Sequence, residues 1–265
     1  MKSAALRIQI ESALNERFPA AIGLRERPAP LTVPTGVLEI DSLTGGLARG
    51  ALTEIYGPPS SGRSSLLLSI LAQATGREEA CALVDTSDAF DPHSAAAAGV
   101  NLARLLWVQC GAANSEIKKS YRALEQALKA TDLLLQAGGF GVVAIDLGDV
   151  PPQIARRVPL TSWFRFRRAV ENTPTVLLII EREASARNCA SLVLELNSRN
   201  QDRDGLIMAS DRLPVFSAGA SSPEVSHGRL LCGLWLRAEV VRRVQQRKPP
   251  ASVAADFRSR AVWRA

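Results

Sequence analysis

The sequence predicts an α/β protein whose mostly parallel sheet is flanked by helices. From residue 36 onward, short apolar runs of strand length alternate with segments that repeat at helical spacing. Several of these runs are continuously apolar, which is typical of strands buried on both faces. A glycine- and serine-rich turn at 57–65 joins a predicted strand to a predicted helix. We expect the function to depend on that turn.

Length and composition indicate a globular protein with one sizeable core, since 46% of the 265 residues are apolar. No apolar run approaches the roughly 18–20 residues that span a bilayer. The N-terminus lacks the continuous apolar stretch of a signal peptide. We therefore expect a cytoplasmic location and no membrane partner. The four cysteines are far apart and predict buried, reduced thiols.

The chain is predicted to have four parts. Residues 1–24 form an amphipathic N-terminal helix for oligomer or partner docking, and the proline-rich residues 25–35 form a linker. The core occupies 36–236, and 237–265 is a basic C-terminal tail. The core opens with GVLEIDSLTGGLARG, which predicts a short strand followed by a glycine-rich turn.

Within the core, strands and helices are predicted from apolar runs and periodicity. The strands cover 51–57, 81–86, 105–110, 141–146 and 175–181. The helices cover 64–75, 115–138 and 162–172. Three later strands, predicted as an antiparallel extension of the sheet, cover 192–196, 205–209 and 230–236.

The turn GPPSSGRSS has the spacing of a phosphate-binding P-loop, with arginine in the lysine position. Such a loop turns its backbone N–H groups inward around phosphates, and the following helix directs its positive end at the anion. Arg63 keeps a positive charge but presents a planar fork in place of a compact ammonium. The candidate phosphate-binding residues are Gly57, Pro58, Ser60, Ser61, Gly62, Arg63, Ser64 and Ser65.

Asp146 ends the apolar strand GVVAID. In P-loop proteins an acidic residue at this place orients magnesium and its water. The Ser64 hydroxyl and the Asp146 carboxylate are therefore predicted to hold Mg²⁺ together with a nucleotide. The alternative is an aspartate that simply ends a strand.

Two segments carry a family resemblance. GVLEIDSLTGGLARGALTEIYGPPSSGRSSLLLSILAQA resembles the opening of the bacterial RecA recombinase core, and CALVDTSDAFDPHSAAAAGVNLARLLWVQC resembles its next segment. The resemblance covers about residues 30–182 and implies a RecA-like P-loop NTPase core with ATP and Mg²⁺ as cofactors. It also implies that Asp91 contacts adenine.

Several functional positions depart from the RecA pattern. The catalytic glutamate matches Ser87, and Asp88 is the candidate substitute although it is offset by one position. The tyrosine that stacks on adenine matches Ser94, and the glutamine that couples nucleotide to DNA matches Arg182. Since general-base catalysis contributes about 10²–10⁴-fold, these changes predict weak or absent hydrolysis.

Charge and loop position predict contact with nucleic acid. Residues 151–265 contain 19 basic and 10 acidic side chains, against 13 and 16 in residues 1–150. The resemblance assigns the DNA-binding loops to the segments after Asp146 and after 175–181, and the candidate DNA contacts are Arg156, Arg157, Arg182 and Arg187. A solvated basic surface is the alternative. The segment 162–172 interleaves arginines with aromatics, which fits single-strand binding or an amphipathic helix with buried aromatics.

A RecA-like scaffold with altered chemistry resembles the ImuA-type accessory proteins of translesion synthesis. We therefore expect a DNA-repair accessory protein of SOS mutagenesis that binds single-stranded DNA, a translesion polymerase or RecA-type repair proteins. Self-association through the N-terminal helix is a further expectation. The first alternative is an active recombinase, a DNA-dependent ATPase in which Arg63 and Asp88 replace the usual residues. The second is a small-molecule P-loop kinase.

Overall fold

The computed structural model describes residues 31–111, 117–198, 233–244 and 253–260. By compactness the chain divides into residues 1–30 and residues 31–265. The predicted N-terminal helix therefore lies outside the described residues, as does the strand predicted at 205–209.

The second unit opens with a small antiparallel sheet, in which β1 (Thr32–Val33) pairs with β2 (Leu47–Ala48). Helix α1 (Leu38–Thr44) connects the two strands. The sequence predicted a short strand in this segment; that prediction was wrong, because the segment is helical. Asp41 accepts hydrogen bonds from the backbone N–H groups of Thr35 (2.8 Å) and Gly36 (3.3 Å), which fixes the chain entering the helix.

Eight strands of the described chain form the central sheet. In chain order they are β3 (Ala51–Tyr56), β4 (Cys81–Asp85), β5 (Leu105–Gln109), β6 (Val142–Asp146), β7 (Val176–Glu181), β8 (Leu192–Ser198), β9 (Gly233–Arg243) and β10 (Val253–Arg260). Their spatial order is β10-β9-β8-β3-β7-β6-β4-β5. The strands from β8 to β5 are all parallel, while β9 and β10 are antiparallel to their neighbours. The antiparallel extension therefore begins at β9, and the run at 192–196 belongs to the parallel part.

Helices cover both faces of this sheet, which confirms the predicted fold class. They are α2 (Arg63–Gly76), α3 (Pro92–Ala97), α4 (Ile117–Ala137), α5 (Pro152–Ala155) and α6 (Leu160–Val170). Two separate clusters of buried apolar residues fill the two faces. Every residue of β7 and all of β6 except Asp146 are buried, as their continuous apolar sequences predicted.

The predicted linker and tail both contribute strands. Thr32–Val33 lies in the predicted linker, and most of β9 and all of β10 lie in the predicted basic tail. Leu236, Ala238 and Val240 of β9 are buried in the core, so the sheet extends beyond the expected boundary at 236. The many arginines of this segment led to its prediction as a basic tail.

Three further predictions can be compared with the described residues. Cys81, Cys110 and Cys189 are buried free thiols, as expected. In α6 Trp163 and Phe166 are fully buried, as expected of an amphipathic helix, whereas Phe164 between them is 51% exposed. None of the described helices combines the length and apolarity that crossing a bilayer requires.

Candidate functional site

The candidate site lies at the carboxyl edge of the parallel sheet. The P-loop segment follows β3, Asp146 ends β6, and Arg182 comes directly after β7. Because these strands are parallel, their carboxyl ends meet at one edge, where ligands bind in open α/β sheets. The fold therefore brings together three segments that are distant in sequence.

The P-loop begins in a tightly packed position. The Gly57 N–H donates to the carbonyl oxygen of Glu181 at 3.2 Å, which ties the loop to β7. A Cβ atom on Gly57 would overlap the carbonyl oxygen of Leu196 on β8. Only glycine fits at this point between the two strands.

Gly62 ends the loop in the left-handed region, with φ 86°, and is the N-cap of α2. A Cβ atom there would overlap the side chain of Leu236 on β9. No side chain caps this end of the helix. The first N–H groups of α2 are therefore left without a side-chain acceptor, which is the arrangement that binds anions.

The serines of the loop differ in their surroundings. Ser61 is 1% exposed and its Oγ atom has no hydrogen-bond partner among the described residues. Its N–H donates to the carbonyl oxygen of Pro58 at 3.2 Å, and Ser60 between them has a positive φ of 63°. Ser64 lines the adjacent cavity, whereas Pro58, Ser60 and Ser65 are exposed and do not.

A cavity of about 220 Å³ lies beside the start of α2. It is bounded by the N-terminal part of α2, the loop from β4 to α3 and the loop after β6. Its polar and charged lining residues are Arg63, Ser64, Asp91, Ser94, Asp146 and Asp149. The cavity is thus placed where a P-loop nucleotide would be bound.

The Arg63 side chain points across the cavity to the loop after β6. Its Nη1 atom lies 3.4 Å from the carbonyl oxygen of Gly148. Partial burial lowers the pKa of Arg63, while the negative charge of Asp146 opposes that shift. The arginine therefore contributes a fixed cation that faces the loop carrying Asp146.

Asp146 lies at the end of β6, where its Oδ1 atom accepts a hydrogen bond from the Gly148 N–H at 2.8 Å. Burial is the largest cause that raises the pKa of Asp146 to about 6, and the nearby charge of Asp85 raises it further. Arg63 acts in the opposite direction. The Thr86 hydroxyl donates to the Asp146 carbonyl at 2.7 Å and thereby joins the ends of β4 and β6.

Ser64 and Asp146 both line the cavity, so the structure brings together the two predicted magnesium ligands. Both offer oxygen atoms, the type that Mg²⁺ prefers. However, the Asp146 carboxylate and the Arg63 guanidinium both lie close to one point beside Gly148. A Cβ atom placed on Gly148 would lie 2.9 Å from Asp146 Oδ1 and 3.0 Å from Arg63 Nη1. A divalent ion in direct contact with Asp146 would be repelled by Arg63, and this residue set does not fit one.

Arg182 is the first residue after the strand Val176–Glu181, as the sequence predicted, and its side chain contacts the loop after β6. Its Nε atom donates to the Gly148 carbonyl oxygen at 2.8 Å, and its Nη2 atom lies 3.3 Å from Asp149 Oδ1. The predicted DNA contact is thus engaged with the loop that borders the cavity. Sequence reasoning missed this contact because it depends on the paths of two loops, which no periodicity encodes.

The loop after β4 places Asp91 at the cavity, but as a helix cap. The Asp91 carboxylate accepts hydrogen bonds from the N–H groups of His93 (3.2 Å) and Ser94 (3.0 Å) and from the Ser94 hydroxyl (2.6 Å). These bonds, led by the Ser94 hydroxyl, lower the pKa of Asp91. Asp91 and Ser94 both line the cavity, together with the ring of Phe90.

Ser87, which matches the RecA glutamate, and the candidate base Asp88 do not line this cavity. The Ser87 N–H donates to Asp85 Oδ1 at 3.0 Å, which turns the residue toward the end of β4. Asp88 is exposed, has a positive φ of 54° and accepts a hydrogen bond from the side-chain amide of Gln109 on β5. Asp88 therefore lies outside the set of residues that surrounds Arg63.

The other predicted DNA contacts are exposed. Arg156 pairs with Glu183, which joins the segment after β6 to the loop after β7. The guanidinium of Arg157 lies over the ring of Tyr121 on α4, 5.4 Å from its centroid. Arg187 is exposed in the same β7–β8 loop, and its carbonyl oxygen accepts a hydrogen bond from Arg242.

A buried pair of carboxylates beneath the β7–β8 loop was not foreseen. Glu54 and Glu181 are both at most 1% exposed. Ser185 bridges them: its N–H donates to Glu54 Oε1 (2.6 Å) and its hydroxyl donates to Glu181 Oε1 (2.8 Å). Burial, reinforced by the charge of Glu54, raises the pKa of Glu181 to about 8. Their signal in the sequence was two acids within continuous apolar strands.

Comparison with known proteins identifies a matching family and several similar proteins. The RecA N-terminal domain family matches residues 8–151. Curated relatives include the RecA proteins of Pseudomonas fluorescens (strain SBW25) and Pseudomonas putida, each 37% identical over 140 residues. These alignments cover 52% of this chain and 37% and 36% of the relatives, respectively. The matched part therefore spans little more than a third of their length.

A solved structure resembles the fold more broadly. The crystal structure of the RadB recombinase matches with a TM-score of 0.52 and 19% sequence identity. The match covers 86% of this chain and 96% of the other. At that identity the likeness concerns the fold alone.

Proposed function

Because this chain belongs to the RecA N-terminal domain family, we propose that it is a RecA-like DNA-repair accessory protein. It binds single-stranded DNA, repair proteins or both, and its nucleotide site hydrolyses ATP slowly or not at all. In this proposal the P-loop and the adjoining cavity bind the phosphates of ATP, and Asp91 and Ser94 lie beside its base.

The observation that carries the proposal is the contact of Arg63 and Arg182 with the same carbonyl oxygen, that of Gly148. A lysine in a working P-loop is directed to the terminal phosphates. Here the equivalent cation reaches toward the loop after β6 instead. The cavity retains the groups that bind an anion, but its cations are not arranged for fast phosphoryl transfer.

The carboxylates around the cavity support the same conclusion. Asp91 caps α3, Asp149 pairs with Arg182, and Asp146 accepts the Gly148 N–H. Each described carboxylate that lines the cavity therefore already has a hydrogen-bond or ion-pair partner. None of the three occupies the position after β4 where the RecA resemblance expects a base.

The more specific part of the proposal is a role in translesion synthesis, like that of the ImuA-type accessory proteins. It rests on the combination of a RecA-like scaffold with Arg63, Ser87 and Arg182 at functional positions. Its partners would then be a translesion polymerase or RecA-type proteins. Exposed arginines of the β7–β8 loop and of the segment after β6 supply the proposed contacts with DNA phosphates.

Two measurements on the full chain test this function. ATP hydrolysis is measured with and without single-stranded DNA, beside the RecA of Pseudomonas fluorescens; we expect turnover at least about 100-fold lower, the scale of a lost general base. Binding of a fluorescently labelled single strand is measured by anisotropy at several salt concentrations. We expect the affinity to fall as salt rises, because phosphate contacts release counterions.

An active recombinase gives the opposite result. Turnover close to that of the RecA control, stimulated by single-stranded DNA and lost in Asp146→Ala, would overturn the proposal. The variant Asp88→Asn separates the two functions further. In the recombinase Asp88 acts as the base and its loss abolishes turnover, whereas the proposal predicts the same low rate in Asp88→Asn as in the unaltered chain.

A further inference from the structure

Two guanidinium groups meet on one carbonyl oxygen at the edge of the cavity. Arg63 approaches the Gly148 oxygen from α2, and Arg182 approaches it from the end of β7. The Arg182 contact is short, at 2.8 Å, whereas that of Arg63 is 3.4 Å. The positive charge is therefore concentrated where the loop after β6 faces the P-loop.

Arg63 keeps most of its hydrogen-bonding capacity. A guanidinium has five N–H donors, and the one hydrogen bond of Arg63 in the described part of the chain is its long contact with Gly148. No described carboxylate lies within ion-pair distance of it, although Asp146 and Asp149 are near enough to affect its pKa. Arg63 can thus turn its free donors toward phosphate oxygens while its charge stays at the site.

Independent features of the loop point to an anion at the same place. Helix α2 has 14 residues and no side-chain cap. The Ser61 hydroxyl is buried beside it without a partner among the described residues, which is costly unless a ligand completes the bond. The cavity of about 220 Å³ is lined by Arg63 and Ser64 at the start of this helix, while the Ser61 hydroxyl lies next to Gly57 at the beginning of the loop.

Two guanidiniums supply positive charge beside the loop without a metal ion. Arg182 contacts Asp149 directly, whereas Arg63 has no described carboxylate within ion-pair distance. In a P-loop with lysine, Mg²⁺ neutralises the phosphates and is held by the serine hydroxyl and a strand-end aspartate. Here the Arg63 guanidinium lies close to the Asp146 carboxylate, where that ion would be held.

We propose that this site binds the phosphates of a nucleotide without a divalent metal ion, with the guanidiniums of Arg63 and Arg182 replacing the charge of Mg²⁺. The inference rests on the nucleotide site of the proposed function and specifies how that site recognises its ligand. Planar guanidiniums suit this role because they pair with phosphate oxygens through two parallel hydrogen bonds.

The test is a calorimetric titration of the full chain with ATP, once in excess Mg²⁺ and once in excess EDTA. We expect dissociation constants that agree within about threefold, since charge-assisted bonds from arginine remain in both buffers. The variant Arg63→Lys is expected to need the metal, with at least about tenfold weaker binding in EDTA than in Mg²⁺. The variant Arg104→Ala, altered at an exposed ion pair with Glu78 away from the cavity, is expected to match the unaltered chain.

The outcomes separate this inference from the function on which it rests. If the unaltered chain binds ATP at least about tenfold more weakly in EDTA, the metal-independent site is wrong and the proposed function stands. If ATP binds in neither buffer, both the nucleotide site and this inference are wrong, while the measurement of DNA binding is unaffected. A folding control by circular dichroism accompanies each variant, and Arg182→Lys provides a second variant if Arg63→Lys does not fold.

Discussion

The Nε atom of Arg182 donates a hydrogen bond to the carbonyl oxygen of Gly148 across 2.8 Å. This bond connects the first residue after β7 with the loop that follows β6. Since Arg182 also pairs with Asp149, the side chain fastens two successive positions of that loop. The shape of the cavity wall therefore depends on a residue that the family resemblance had assigned to DNA coupling.

Replacing Arg182 with methionine should loosen this wall. The substitution keeps the apolar stem but removes the donors to Gly148 and Asp149, and we expect a loss of about 1–3 kcal/mol in the free energy of unfolding. Urea denaturation measures the loss. Arg168→Met, altered at an exposed position of α6, serves as the control and should change stability by less than about 0.5 kcal/mol. Equal stability of the two variants would show that the Gly148 contact is not structural.

Stability should fall as pH rises from about 5 to 8 because of Glu181. The pKa of Glu181 is raised from an ordinary value of 4.5 to about 8, so the folded state retains a proton that the unfolded state releases. The stabilisation is complete below the unfolded pKa and is lost as pH rises through the folded value, with a slope of up to about 1.4 kcal/mol per pH unit. The pKa of Glu54 is also raised, mainly by burial, and acts with the same sign.

Urea denaturation at pH 5.5 and pH 8 measures this dependence. Glu181→Gln cannot titrate and should show a smaller difference between the two pH values than the unaltered chain. Glu125→Gln, at an exposed position of α4, should retain the full difference. Asp146, whose pKa is also raised, is present in all three proteins, so the comparison isolates Glu181. An unchanged pH dependence in Glu181→Gln contradicts a protonated carboxyl at this position.

Gly62→Ala should lower the free energy of unfolding by more than backbone strain at a positive φ would alone. The new Cβ would overlap Leu236 in addition to straining a residue at φ 86°, and we expect a loss of about 1–3 kcal/mol. Gly138→Ala is the matched control, since Gly138 has φ 68° but nothing within 4 Å of its Cβ position. The control carries the backbone strain alone, about 1 kcal/mol. If both variants lose the same stability and Gly62→Ala still binds ATP, the packing against Leu236 is unimportant.

Single-strand binding should depend on the exposed arginines Arg156, Arg157 and Arg187. Each arginine that contacts a phosphate adds about 0.7 to the slope of log affinity against log salt for a single strand. Arg156→Ala, Arg157→Ala and Arg187→Ala should therefore each reduce that slope in an anisotropy titration. Arg104 directly precedes β5 and therefore lies at the amino edge of the sheet, whereas the three loop arginines follow β6 and β7 at its carboxyl edge. Arg104→Ala should leave the slope unchanged. If none of the three loop variants changed the slope, the DNA contact would have to lie elsewhere on the protein.

The sequence predicted the parallel sheet and the meeting of the P-loop with Asp146 for a clear physical reason. Continuous apolar runs identified strands buried on both faces, and parallel strands must bring their carboxyl ends to one edge. Arg63 and Asp146, 83 positions apart, were therefore expected on the same edge. They now line the same cavity.

Other features could not be predicted from apolar runs and strand direction. The engagement of Arg182 with Gly148 depends on the path of two loops, which no periodicity encodes. Residues 253–260 carry charged side chains between apolar ones, as edge strands often do, and were therefore predicted as part of a basic tail. In α1, the apolar residues Leu38, Ile40 and Leu43 fit a strand as well as a helix until their packing is known.

The overlap of Gly62 with Leu236 has a consequence for how the chain can be shortened. Leu236 is held in place by β9, which pairs with β8 on one side and β10 on the other. A chain cut at the predicted core boundary would keep Leu236 but lose the residues that hold it in register. Truncation there would remove the packing of Leu236 against Gly62, so the last strands support the loop at 57–62 although none of their residues lines the cavity.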